Sequence, residues 1–221
     1  MGPSRDKDRL AQDDNAFLNK GLRSWMKRKE NNGHEELLPE PKLHALEGEL
    51  SAADKCFAIV VARFNAFITE RLLQSAYDGL LRSGAARQDI EIVRVPGAFE
   101  IPLAARTLAL TQKYDAIICL GCLLRGDTAH YDVIVNEVTR GIGQSAQETG
   151  VPHAFGVLTC ENLEQAIDRA GLKMGNKGFE AALAAVEMAA LGRAISSQQS
   201  AVSKSKTKRK KRASDSRKRS G

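Results

Sequence analysis

The chain has 221 residues, is 43% apolar but only 5% aromatic, and carries a formal charge of +6. That length suits one ordinary domain with added segments, or two small ones. The charge is uneven: residues 1–50 carry 9 basic and 10 acidic groups, residues 51–192 carry 13 and 16, and residues 193–221 carry 11 and 1, which excludes a uniformly basic nucleic-acid-binding domain.

Residues 1–42 form a polar extension of mixed charge. Its first residues hold charges of both signs and no apolar stretch, so no secretory signal is expected. Within it Phe17, Leu18, Leu22, Trp25 and Met26 recur at helical spacing, which predicts a short helix over Asn15–Lys29. Leu43–Leu50 alternates as a short strand would. From Cys56 the pattern becomes regular. Cys56–Ala62 reads as a buried strand and Phe67–Ser83 as an amphipathic helix. Ile90–Val95 is a second strand, followed by a helix over Phe99–Leu110. Asp115–Gly121 is a third strand, with a helix over Tyr131–Thr149. Ala154–Leu158 is a fourth, after which Thr159 or Glu161 opens a helix through Ala170. A last helix runs from Asn176 to Ala194.

Continuous apolar strands alternating with helices imply a parallel sheet covered on both faces. The expected fold is α/β: a three-layer αβα sandwich around a mostly parallel four-stranded sheet, occupying residues 43–192. Residues 193–221 have almost nothing to bury and are expected to be a disordered basic tail. Cys56, Cys119, Cys122 and Cys160 are too few and too strand-bound for a disulfide scaffold. No apolar run has the length of a membrane span. A soluble, cytoplasmic protein is the expectation.

In an open parallel sheet, ligands bind beyond the carboxyl ends of the strands. Four unusual segments fall there: Arg63–Asn65, Val95–Pro102, Cys122–Asp132 and Thr159–Asn162. Glu100 can accept hydrogen bonds from ligand hydroxyls, or can simply favour a helix N-terminus. Arg125, Gly126, Asp127, Thr128 and His130 precede a long helix. They suit an oxyanion held by main-chain N–H groups, with His130 exchanging protons near neutrality; alternatively Asp127 or Thr128 caps the helix and His130 is solvated. Cys119 and Cys122 form a C-x-x-C pair without a partner pair of ligand spacing, so no metal is expected. Arg169 and Lys173 either compensate a helix C-terminus or complete an anion site, and Arg169 has the better geometry for phosphate. Neither GxGxxG nor a Walker A sequence is present, which removes the main support for nicotinamide or ATP sites.

The stretches RFNAFIT (63–69), VPGAFEIP (95–102), GCLLRGDTAHYD (121–132), NEVTRG (136–141), FGVLTCENLEQAIDRA (155–170) and GNKG (175–178) occur in this order. With them the chain, from about Leu43 to Leu191, closely resembles the lumazine synthase family. The resemblance implies a flavodoxin-like strand order and a condensation in riboflavin biosynthesis. In it 5-amino-6-(D-ribitylamino)uracil and 3,4-dihydroxy-2-butanone 4-phosphate give 6,7-dimethyl-8-ribityllumazine, phosphate and water, with no cofactor. It further implies that Phe64 stacks on the pyrimidine and that Ala98, Phe99 and Glu100 line the ribityl side. Cys122, Leu123 and Leu124 meet the pyrimidine edge. Asp127 and Thr128 fall on the butanone-phosphate positions, Arg169 on its phosphate clamp, and His130 on the proton-transfer position. Phe155 reaches the ring from a neighbouring subunit, and Lys177 matches another site-lining position.

Pentamers are implied, and in many relatives a sixty-subunit icosahedral shell, in which the early strand joins a neighbour's sheet. The ends depart from the family pattern. The basic stretch Lys204–Arg219 either solubilises the chain or binds nucleic acid or an acidic partner. The competing function is therefore a shell or scaffold protein of the same fold that binds cargo through this stretch.

Overall fold

The computed structural model describes residues 45–173 and 175–218, with side chains as far as Gln198. The proposed helix over Asn15–Lys29 lies outside the described residues. From Leu46 onward the chain forms one unit, built on strands β1 (Phe57–Ala62), β2 (Ile90–Val95), β3 (Ala116–Leu124) and β4 (His153–Cys160). All pairings are parallel and the order is β2-β1-β3-β4. This is the flavodoxin-like arrangement expected from the sequence.

The helices are α1 (Ala66–Arg82), α2 (Ile101–Leu110), α3 (His130–Thr149), α4 (Leu163–Arg169) and α5 (Lys177–Lys218). Period-two alternation splits the strand residues between two cores. Phe57, Ile59, Val61, Ile118 and Leu120 pack with Leu72, Ala76 and Leu80 of α1 and with Ala182, Ala185 and Val186 of α5. Ala58, Val60, Ile117 and Cys119 pack with Ile101 and Ala105 of α2 and Val138 and Ile142 of α3. At Gly178 an added Cβ would lie 2.1 Å from the Leu72 carbonyl oxygen. That close approach lets the start of α5 press onto α1, where the Phe179 ring lies against Gly79.

Several boundaries differ from the sequence reading. β3 runs on to Leu124 and β4 to Cys160, because Cys122, Leu123 and Leu124 pair with Leu158, Thr159 and Cys160. The helix after β4 is therefore opened by Asn162, whose side chain accepts from the Gln165 N–H at 3.0 Å, and not by Thr159 or Glu161. Ala45–Leu50 make no strand within the chain. Gly48 instead lies against α5, where a Cβ would meet the Glu187 carbonyl oxygen at 2.0 Å. The last helix does not stop near Ala194 but continues through Lys218. Between Arg193 and Lys218 there is neither Gly nor Pro to end it, and Lys, Arg, Gln and Ala all favour helix. No helix among the described residues is long and apolar enough to cross a membrane.

Candidate active site

Beyond β1 and β2 two further main-chain bonds join the segments that follow. Arg63 N–H donates to the Val95 carbonyl at 2.8 Å and Phe64 N–H to the Pro96 carbonyl at 3.0 Å. Asn65 then adopts a left-handed conformation, φ 58°, and turns the chain into α1. Asn tolerates this region better than most residues. Its carbonyl accepts from the N–H groups of Ile68 and Thr69, while its side-chain amide donates to the Cys122 carbonyl at 2.8 Å. Phe64 is thereby held with its ring 67% exposed. The ring lies against Gly97, where an added Cβ would stand 2.8 Å from Phe64 Cδ2.

After Gly97 a single 3₁₀ turn, Ala98–Glu100, leads into α2. The Glu100 carboxylate folds back, and its Oε2 accepts the Gly97 N–H at 2.9 Å. This is the helix-terminal role weighed above. Glu100 also lines the cavity.

The cavity has a volume of about 290 Å³ and is walled by Phe64, Gly97, Ala98, Phe99, Glu100, Leu123, Leu124, Gly126, Thr128, His130, Tyr131 and Ile134. It sits at the carboxyl ends of β1, β2 and β3. Eight of the positions singled out in the sequence therefore meet in one place: Phe64, Ala98, Phe99, Glu100, Leu123, Leu124, Thr128 and His130. Gly126 joins them, as the oxyanion reading had it, and Gly97 and Tyr131 come from the segments Val95–Pro102 and Cys122–Asp132 already singled out; Ile134 lies outside those segments. His130 and Ile134 are one turn apart on α3, and that i, i+4 spacing was the available signal for Ile134.

The segment before α3 is braced from outside the cavity. Arg125 N–H donates to the Cys160 carbonyl at 2.9 Å, extending the β3–β4 pairing. The Arg125 guanidinium lies 4.3 Å from the Tyr131 ring centroid. It also bonds Asp132 at 3.0 and 3.1 Å and pairs with Glu161 at 2.7 Å. Hydrogen bonding to Arg125 holds the Asp132 carboxyl below its usual range, and burial raises the Tyr131 phenol. The N-cap of α3 is Ala129, with no side-chain cap hydrogen bond. Neither Asp127 nor Thr128 caps the helix, which leaves its first N–H groups to be satisfied from outside the helix.

Five of the sequence-derived positions do not line this cavity. Cys122 turns into the opposite core, beside Leu158 and Cys160, and burial pushes its thiol up to about 12. Only its carbonyl is tied to the site, through Asn65. Cys119 faces the other core, so the two thiols of the C-x-x-C pair lie on opposite sides of the sheet and cannot share one metal ion. Asp127 is exposed and outside the wall. Phe155 is 44% exposed on edge strand β4, four residues before Thr159, the partner of Leu123. That is about 13 Å back along the strand. Arg169 closes α4, where it donates to the Gln165 carbonyl at 3.2 Å. Lys177 opens α5 and pairs with Glu180 at 2.5 Å.

A doubly wound parallel sheet with a polar-rimmed cavity at its strand ends defines an α/β ligand-binding domain of the enzyme type. Residues 54–193 match the family described as 6,7-dimethyl-8-ribityllumazine synthase, and the chain belongs to that family. It is 60% identical over 146 residues to the 6,7-dimethyl-8-ribityllumazine synthase of Desulfotalea psychrophila, covering 66% of this chain and 94% of the relative. The corresponding proteins of Chlorobium luteolum and Chlorobium phaeovibrioides are 55% and 54% identical. The alignments cover 69% and 70% of this chain and 98% and 99% of those relatives.

Proposed function

We propose that this enzyme of the lumazine synthase family condenses 5-amino-6-(D-ribitylamino)uracil with 3,4-dihydroxy-2-butanone 4-phosphate to form 6,7-dimethyl-8-ribityllumazine. The observation that carries the reading is the meeting of Phe64, Glu100, Thr128 and His130 around one cavity. A scaffold protein has no physical need to keep a stacking ring, a carboxylate, an anion-binding helix start and a titratable imidazole together.

In this reading the exposed Phe64 ring stacks on the pyrimidine, and Glu100 accepts hydrogen bonds from ribityl hydroxyls. The uncapped start of α3, with Thr128, receives the phosphate, where helix N–H groups and the helix dipole favour negative charge. The pyrimidine amine attacks the ketone, and loss of water gives a Schiff base. Elimination of phosphate and closure of the second ring, with loss of a second water, complete the product. His130, beside the phosphate end, carries protons for these steps. Most of the acceleration comes from holding two substrates in register.

A cavity of about 290 Å³ is at the low end for one ligand and small for two. Phe155 and Arg169, both outside their own chain's cavity, therefore serve a neighbouring subunit's site: Phe155 covers the ring and Arg169 clamps phosphate. Such sharing is consistent with the pentamer that the family resemblance implies, with a sixty-subunit shell as the larger assembly. The outer edge of β2 borders a groove of about 500 Å³ lined by Glu70, Leu73, Gln74, Tyr77, Ile90 and Ile92, and there a neighbour's residues 43–50 would add a strand.

The deciding experiment incubates the purified protein with both substrates and follows lumazine absorbance. Product formation well above the uncatalysed rate is expected; a rate equal to the uncatalysed one would overturn the reading.

A further inference from the structure

Arg193 anchors α5 to the domain. Its Nε donates to Asp115 Oδ1 at 2.8 Å and a terminal N–H to the Asp54 carbonyl at 2.8 Å. The other Asp115 oxygen accepts the Cys56 N–H at 2.8 Å. Asp54 and Asp115 lie just before β1 and β3. The helix therefore leaves the domain at the end of the sheet opposite the cavity. It continues through Lys218, which at about 1.5 Å per residue adds roughly 37 Å.

The composition of this extension selects its partner. Lys204–Lys218 hold nine cations, five of them in the unbroken run Lys208–Arg212, against the single acid Asp215. Ala213 is the one apolar residue there and no aromatic is present. A helix lying on a membrane surface needs an apolar face, and a helix seated in a protein groove needs apolar anchors at i, i+3, i+4 and i+7. This segment has neither. Single-stranded nucleic acid is gripped by base stacking on aromatic rings, which are also missing. A run of five consecutive cations spans more than one helical turn, so the charge cannot be confined to one face. Within the major groove of B-DNA a helix meets phosphates along both walls. Like charges at i, i+4, such as Lys204 with Lys208 and Lys208 with Arg212, oppose helix formation in water. Phosphates would relieve that repulsion.

We propose that Lys204–Lys218 is a sequence-independent arm for duplex DNA, contacting the phosphate backbone on the side of the subunit away from the cavity. The proposal does not depend on the enzymatic reading.

The test uses the full-length protein and its K208Q/R209Q/K210Q/K211Q/R212Q variant, with fluorescence anisotropy of labelled DNA duplexes of two unrelated sequences. Similar affinity for both duplexes is expected, falling about 10³-fold between roughly 50 and 200 mM salt. The variant should bind at least about tenfold more weakly with an unchanged thermal midpoint. Absence of duplex binding by the full-length protein would overturn the proposal. So would undiminished binding by the variant, or equally tight binding to phosphatidylserine vesicles.

Discussion

The side-chain amide of Asn65 donates to the main-chain carbonyl of Cys122 at 2.8 Å, tying the turn after β1 to the end of β3. Phe64 precedes that turn and Leu123 follows that carbonyl, and both line the cavity. This hydrogen bond thus joins two parts of the cavity wall. Asn65→Gly keeps the left-handed backbone and removes only the amide. It should lower stability by about 1–2 kcal/mol and raise the KM for the pyrimidine, measured by urea unfolding and steady-state kinetics. Loss of stability without any change in KM would show that the bond serves the fold alone.

Gly97→Ala introduces a methyl group 2.8 Å from the Phe64 ring and 3.2 Å from Glu100 Oε2. The backbone at Gly97 is extended, φ −138°, so the substitution is felt through contact and not through strain. Displacing the ring should cost about 1–2 kcal/mol of binding, or roughly tenfold in pyrimidine KM, with the fold retained by circular dichroism. A Phe64→Ala change in the same background should then add little, because the two act through one ring.

Removal of the imidazole in His130→Ala should lower kcat by about 10²-fold or more while leaving substrate affinity nearly intact, as expected for a lost proton-transfer group. Rapid-mixing measurement of binding alongside turnover separates the two effects. A loss confined to affinity would assign His130 to binding.

Phe155→Ala and His130→Ala offer a test of shared sites. Each variant alone should be poorly active. Co-refolded mixtures should regain activity, because some pockets combine an intact His130 with an intact Phe155 from a neighbour. A mixture no more active than the average of its components would place Phe155 outside any neighbour's site.

His153 predicts the acid response of the fold. Its Nδ1 lies 2.8 Å from the Val151 carbonyl and its Nε2 2.9 Å from Ser145 Oγ. The first contact requires Nδ1–H, so Nε2 accepts from the Ser145 hydroxyl. Burial lowers the imidazole below its usual value. The unfolded chain therefore takes up the proton first as pH falls. The stabilisation is complete above the unfolded value of about 6.5 and is lost as pH drops from there through the lower folded value. Thermal midpoints should fall more steeply below about pH 6.5 in the parent than in His153→Gln, which has nothing to titrate at that position. Parallel curves would show that other groups govern the acid limb.

The alternating strands and helices were legible because each strand is a nearly continuous apolar run. The ends were harder to read. Cys122–Leu124 looked like a loop because Arg125 follows directly, yet those residues pair with Leu158–Cys160, a long-range relation that local pattern does not carry. The cavity residues after β1, β2 and β3 stood out as unusual turns and did converge. Tyr131 did not stand out within its segment, since its place under Arg125 depends on Asp132 and Glu161 coming from two different elements. Phe155, Arg169 and Lys177 lie outside the cavity, and nothing in their local sequence pattern marks that. Local propensity also explains the last helix: nothing between Arg193 and Lys218 forbids it, although nothing apolar there demands it.

The Arg193 clamp on Asp115 and Asp54 also fixes the subunit's polarity. A label, a surface linkage or a fused domain joined after the last helix would hang on the floor side of the sheet, at the far end of the helical extension, with the cavity mouth at the roof. Immobilising the protein through its C-terminal end should therefore leave substrate entry within each subunit unobstructed, which makes that end the natural handle for kinetic work on a solid support.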